Sequence, residues 1–228
     1  MSVQPGFAPH ITTMGQGPRR ALALHCSLAF GGAWAGLAKH LGQDLTLIAP
    51  DMPSHGRSPD WDEVNDFADT VFQSALEALD SAPMDVFGHS FGAVVALRLA
   101  ATHPERVRSL TLIEPVFFAV AQQDAPEIMI EHDTLSQPFV RAVAAGDRTE
   151  TARCFNRLWG DGSDWHGLPE KSRAAMIRAI HMIPATSDFL YKDTAGMLLP
   201  GVLDRAVMPT LLVRGSASLP AISAIADG

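Results

Sequence analysis

The chain of 228 residues is 47% hydrophobic with a slightly positive mean hydropathy, which is enough for one sizeable core and short for two full domains. Its 17 Lys and Arg against 25 Asp and Glu give a net charge of -8; with no basic run to offset it, this argues against nucleic acid or an anionic membrane as partner. The first twenty residues lack the charged start and apolar stretch of a secretion signal, and no apolar run approaches the roughly 18 residues of a membrane span, so a soluble cytoplasmic protein is expected.

In chain order, residues 7–14 carry a weak strand pattern that suits an antiparallel edge. Short apolar runs follow: Ala21-Leu22-Ala23-Leu24, Leu45-Thr46-Leu47-Ile48-Ala49, Asp85-Val86-Phe87, Leu110-Thr111-Leu112-Ile113 and Thr210-Leu211-Leu212-Val213, each reading as a buried parallel strand. Between the first four, the spacing predicts helices over 34–41, 67–81 and 91–102. That alternation builds an α/β fold, a mostly parallel, doubly wound sheet with helices on both faces. After Pro115 the alternation stops. Residues 116–208 hold helical stretches at 137–145, 149–159 and 169–183, the last with apolar Ala175, Ile177, Ile180 and Ile183, and no convincing strand. The expected division is a first part of the core over 1–115, an inserted helical cap over 116–208 that roofs a pocket, and the core resumed over 209–228.

Gly88-His89-Ser90-Phe91-Gly92 stands where the third of these runs meets the helix that stops before Pro104. A serine on so sharp a strand-to-helix turn adopts a strained backbone, and glycines two residues either side let neighbouring backbone pass close. This is the signature of a nucleophile elbow, with Ser90 as nucleophile. The competing reading, a serine that merely caps the helix, does not explain the glycines. His89 reads as packed beneath the strand. Cys26 and Cys154 are far apart with no CxxC, so free thiols are expected, and Cys26, ending a buried strand, reads against a thiol nucleophile. Neither a metal nor a cofactor is expected: there is no zinc-type Cys/His cluster, no Walker motif and no G-x-G-x-x-G spacing.

Four motifs in order then carry a resemblance. His25-Cys26-Ser27 followed by Trp34, the loop Asp51-Met52-Pro53-Ser54-His55-Gly56-Arg57-Ser58, the elbow, and His103-Pro104-Glu105-Arg106-Val107 leading into the fourth run are similar to the corresponding segments of the α/β-hydrolase family. The likeness runs from about Leu22 to the last residue. It implies attack of the Ser90 oxygen on a carbonyl carbon, an acyl-enzyme, and hydrolysis by water. The oxyanion would be held by the backbone N–H of Phe91 at the helix start and, by the resemblance, by that of Ser27, although Cys26 replaces the family's glycine in that loop.

The family keeps its histidine in a loop past the point reached by Arg214-Gly215-Ser216. The expectation is a C-terminally incomplete sequence lacking the last strand, that histidine and a final helix; the alternative is a natural variant without triad chemistry. None of the chain's own histidines reads as a good base. The family's usual G-x-x-D acid is replaced by Gly215-Ser216-Ala217-Ser218, so Glu114, after Leu110-Thr111-Leu112-Ile113, is expected as the acid, the alternative being a glutamate bonded to neighbouring backbone. Asp51 reads as a tie for the loop that follows it. His25 and His55 read as imidazoles bonded to nearby backbone, and His25 and Trp159 are placed at the substrate, with Trp34 and Trp165 as further candidates for the pocket wall. The expected function is hydrolysis of a small carboxylic ester or related acyl compound. Carbon–carbon bond hydrolysis of dienoic diketones, lactone opening, and non-catalytic binding of a small ligand on a hydrolase fold are the alternatives. Ser at position 90 argues against an aspartate-nucleophile dehalogenase.

Overall fold

The computed structural model describes residues 2–228. β2 (Arg19–Leu24), β3 (Leu45–Pro50), β4 (Met84–His89), β5 (Val107–Ile113) and β6 (Thr210–Val213) run parallel, and β1 (Ile11–Met14) pairs antiparallel with β3, in the spatial order β1-β3-β2-β4-β5-β6. The antiparallel edge is shorter than the 7–14 the sequence suggests. Because side chains alternate along a strand, Ala21 and Ala23 face one way with Leu45, Leu47, Ala49 and Trp34, beside α1 (Ala35–Leu41). Leu22, Leu24, Val86, Leu110 and Leu112 face the other way and pack under α2 (Phe67–Ala78) and α3 (Phe91–Thr102). Phe67, Phe91 and Leu99 are fully buried there, each worth roughly 1.5–3 kcal/mol against exposure. α2 stops three residues before the predicted end.

Strand order reverses at β2: the chain steps from β2 to β3 on one side, then crosses to β4 on the other. In open α/β sheets this leaves a crevice beyond the carboxyl ends of the two strands where ligands bind. β6 departs from its sequence reading. It forms the sheet edge, and Leu211, Leu212 and Val213 are 58%, 42% and 36% exposed instead of buried.

Between β5 and β6 lie only helices: α4 (Phe118–Asp124), α5 (Pro126–Ala144), α6 (Arg148–Trp159), α7 (Glu170–Ala179), α8 (Met182–Ala185) and α9 (Ser187–Lys192). α5 begins eleven residues before the predicted 137 because the helix continues through Pro138, which lacks the N–H for the Thr134 carbonyl but does not end it. In its first half, only Met129 and His132 are buried among Glu127, Glu131 and Asp133, so the apolar period is too weak to read. Polar ties fasten this segment to the core. Arg178 donates to the Asp60 carboxylate at 2.8 Å and to the Ser58 carbonyl at 2.8 Å, Arg148 bonds Glu63 at 2.9 Å, and the His181 ring stacks on Trp61. α10 (Pro220–Asp227) closes the chain against α4 and α5. No helix among the described residues is long and apolar enough to cross a membrane.

Candidate active site

The loops after β2, β4 and β5 meet at the crevice. Ser90 follows β4 with φ 55°, a conformation L residues rarely adopt, and Glu114 follows β5 with φ 46°; such backbone strain costs on the order of 1–3 kcal/mol and collects at functional sites. The register pairs His89 with Ile113, and Ser90 N–H donates to the Ile113 carbonyl at 2.9 Å, so the strands themselves set Ser90 beside Glu114. The Ser90 hydroxyl makes no capping bond to α3, which removes the reading of Ser90 as a plain helix cap.

The elbow glycines are tight for a stated reason. A Cβ on Gly92 would stand 2.5 Å from the carbonyl oxygens of both Leu24 and His25, and one on Gly88 would stand 2.5 Å from Ala93 Cα and the Gly92 oxygen. These neighbours are backbone and cannot swing aside. Gly92→Ala is therefore expected to destabilise the fold by about 1–3 kcal/mol as overpacking does; a melting temperature equal to that of the parent would show that the β2 loop yields freely.

The N–H groups of Phe91 and Ser27 have no acceptor among the described residues. Phe91 opens α3, where the helix dipole also favours negative charge. The Ser27 loop is pinned from behind. His25, 1% exposed, bonds the Cys26 carbonyl through Nδ1 and accepts from Met52 N–H at Nε2 (3.0 Å). His55 bonds the Pro53 carbonyl through Nδ1 and accepts from Leu28 N–H at Nε2 (3.1 Å). Burial holds both rings neutral, taking His25 down to about 4 and His55 to about 3. Asp51 ties the same loops, with Oδ1 accepting from Gly31 N–H at 2.6 Å and Oδ2 from Arg57 N–H at 2.9 Å.

Ser90 opens into a cavity of about 640 Å³ lined by Ser27, Glu114 and Phe118 from the core side and by α5, α6 and α9 above. Trp159 lines it as expected, and Trp34 and Trp165 do not. His25 is sealed behind the wall with both ring nitrogens engaged, which corrects its placement at the substrate. His89 is half-buried on the wall, not packed beneath β4, because as the last residue of that strand it stands at the carboxyl end of the sheet where the cavity begins. Cys26 likewise lies past the end of β2 and borders the cavity; burial pushes its thiol up to about 11, so it stays protonated and unreactive near neutrality. No group of three or more His, Cys, Asp or Glu among the described residues could hold a metal ion.

Glu114 Oε1 accepts from Gly215 N–H at 2.9 Å and from the Ser218 hydroxyl, while Oε2 has no partner among the described residues. The Gly-x-x-Ser segment that lacks the family's usual acid thus holds this one. No histidine among the described residues bonds the Ser90 hydroxyl; His89 and His132 are the two on the cavity wall. The contributions of the first half of α5 and of α9 to the wall were not visible in the sequence, although the chain's one tyrosine, Tyr191, was a signal for the latter.

Comparison with known proteins agrees with this fold. A family model described as the alpha/beta hydrolase fold matches residues 22–215. The chain is 32% identical over 209 residues to a pimeloyl-[acyl-carrier protein] methyl ester esterase of Nitrosomonas europaea, covering 90% of this chain and 79% of that protein. It is 37% identical over 110 residues to Lipase LipV of Mycobacterium tuberculosis, a match that spans 46% of this chain and 41% of LipV. The crystal structure of a hydrolase from Pseudomonas aeruginosa superposes with a TM-score of 0.68 at 20% identity, over 100% of this chain and 84% of that one.

Proposed function

The chain belongs to the alpha/beta hydrolase family, and on that premise we propose that it hydrolyses carboxylic esters through Ser90. The observation that carries the reading is a strained serine whose hydroxyl opens into a large, mainly apolar cavity beside two unengaged backbone N–H groups. Ser90 Oγ bonds to the ester carbonyl carbon as its proton passes to the imidazole that Glu114 would orient, the carbonyl oxygen becomes an oxyanion held by Phe91 and Ser27 N–H, and the carbonyl–oxygen bond to the alcohol breaks as the imidazole returns that proton to the leaving oxygen. Water then cleaves the acyl-serine to the free acid. Each oxyanion donor is worth about 2.7–4 kcal/mol of barrier. Glu114, through its open Oε2, is the acid that would orient an imidazole and stabilise its charged form. The helical segment between β5 and β6 acts as the cap that selects the acyl group. The methyl ester esterase and lipase activities named for the relatives support an ester rather than a carbon–carbon substrate.

One observation favours a second reading, retention of a small ligand with little turnover: no histidine bonds the Ser90 hydroxyl among the described residues. An alkyl fluorophosphonate and a p-nitrophenyl ester separate the two. A single covalent adduct on the peptide that carries Ser90, together with ester turnover, is expected. Saturable binding of an ester with neither adduct nor turnover would instead support the second reading.

A further inference from the structure

The roof of the cavity contains a polar pair in an otherwise aromatic setting. His132 of α5 and Tyr191 of α9 both line the cavity, with Nε2 2.9 Å from the phenol oxygen. The Phe118 ring stacks on both, with centroids 4.9 Å from His132 and 4.5 Å from Tyr191, and Trp159 closes the group at 5.6 Å from His132. His132 is 4% exposed, and its Nδ1 has no partner among the described residues.

Apolar side chains would fill such a box without the cost of burying two polar groups, so an imidazole and a phenol there call for a physical reason. Burial holds the imidazole in its neutral form and pushes the phenol up, so the pair together carries two hydrogens, one on the ring and one on the hydroxyl. Their mutual hydrogen bond uses one. The other is left without an acceptor whichever tautomer is present. If the phenol donates to Nε2, the spare hydrogen sits on Nδ1, in a dry position where an unmet N–H is costly. If Nε2–H donates to the phenol oxygen, Nδ1 is left as a bare lone pair, the cheaper fault, and the Tyr191 hydroxyl is free to turn its hydrogen toward the cavity that Tyr191 lines.

We propose that Tyr191, held by His132, is a specificity-determining donor that recognises a second oxygen of the substrate, a carbonyl, ester or hydroxyl oxygen distinct from the carbonyl attacked by Ser90. The favoured substrates are then oxygen-bearing acyl compounds over plain alkyl ones of equal length. This assignment rests on reading the cavity as the acyl-substrate site. The discrimination expected from one buried hydrogen bond is about tenfold.

Calorimetric binding of octanamide and 8-hydroxyoctanamide to the whole chain and to Tyr191→Phe tests it. The parent is expected to bind the hydroxylated amide about tenfold more tightly than the plain one. Tyr191→Phe, which keeps the ring and its stacking, is expected to bind both equally while its affinity for octanamide stays within about twofold of the parent. His132→Phe should abolish the preference in the same way by releasing the phenol from its anchor. A parent without preference, a preference that survives in Tyr191→Phe, or no binding of either amide overturns the assignment. Amide binding needs no turnover: a chain that discriminates the two amides yet leaves esters intact retains Tyr191 as a selector and loses the catalytic reading.

Discussion

Ser90→Ala is expected to lower kcat/KM for carboxylic esters by about 10⁴-fold or more where an imidazole partners Ser90, as loss of a nucleophile does when it acts as one unit with its base, while the melting temperature stays where it was. The two halves of this expectation have separate grounds. The Ser90 hydroxyl makes no capping bond to α3, so its removal breaks no structural contact there, and the Ser90 N–H to Ile113 carbonyl bond that fixes the elbow is backbone and remains. Substitutions of this kind fall within about 0.5 kcal/mol of the parent. The two N–H groups proposed to hold the oxyanion are also backbone and remain, so the residual rate is expected to report what Phe91 and Ser27 N–H achieve alone. Equal turnover by parent and variant would move the nucleophile elsewhere. Cys26 also borders this wall, and its raised thiol argues against it as that nucleophile.

The core was legible because its signals are local. Apolar runs of three to five residues between helical spacings give parallel strands, and the glycines around Ser90 announce a close backbone approach that the structure then shows at 2.5 Å. Glu114 was legible through its position after an apolar strand. Its partners were not, since Gly215 and Ser218 reach it across 101 and 104 residues of sequence. The cavity wall was harder still. The first half of α5 hides its buried face among acidic residues before a proline, so His132 carried no periodic signal, and Tyr191 meets His132 from 59 residues away. β6 misled in the opposite direction: its composition is that of a buried strand, and burial is decided by what lies beside it, which no property of Thr210-Leu211-Leu212-Val213 encodes. His25 misled because a motif position does not say which way a ring faces; the contacts to Cys26 and Met52 do.

Stability is expected to fall steeply between pH 6.5 and pH 4, before the carboxylates titrate. His25 and His55 are held neutral by burial, with folded values of about 4 and 3 against 6.5 for a free imidazole. In that interval the unfolded chain binds protons that the folded chain refuses, so the folded state loses ground as pH falls, and the stability contributed by the neutral rings is fully present above 6.5. The loss accumulates at about 1.4 kcal/mol per pH unit for each ring, a large draw on the 5–15 kcal/mol typical of a domain. Asp85, held down to about 2 mainly by Arg108, Ser109 and Arg19 against the opposing effect of its burial, acts only below its ordinary value near 3.8, so its contribution falls in a separate window. The reason for the histidine window is mechanical as well as electrostatic. Both Nε2 atoms accept from backbone N–H groups, of Met52 and of Leu28, and a protonated ring would present hydrogen to hydrogen; the rings lie 5.2 Å apart, so the second charge is opposed by the first. The Leu28 bond adjoins Ser27, so displacement of the proposed oxyanion donor is expected early in acid. Melting temperatures from pH 8 to pH 4 for the parent and for His55→Asn provide the measurement: the variant is expected to start lower at pH 8 and to decline less steeply, and parallel curves would place the acid sensitivity in other groups.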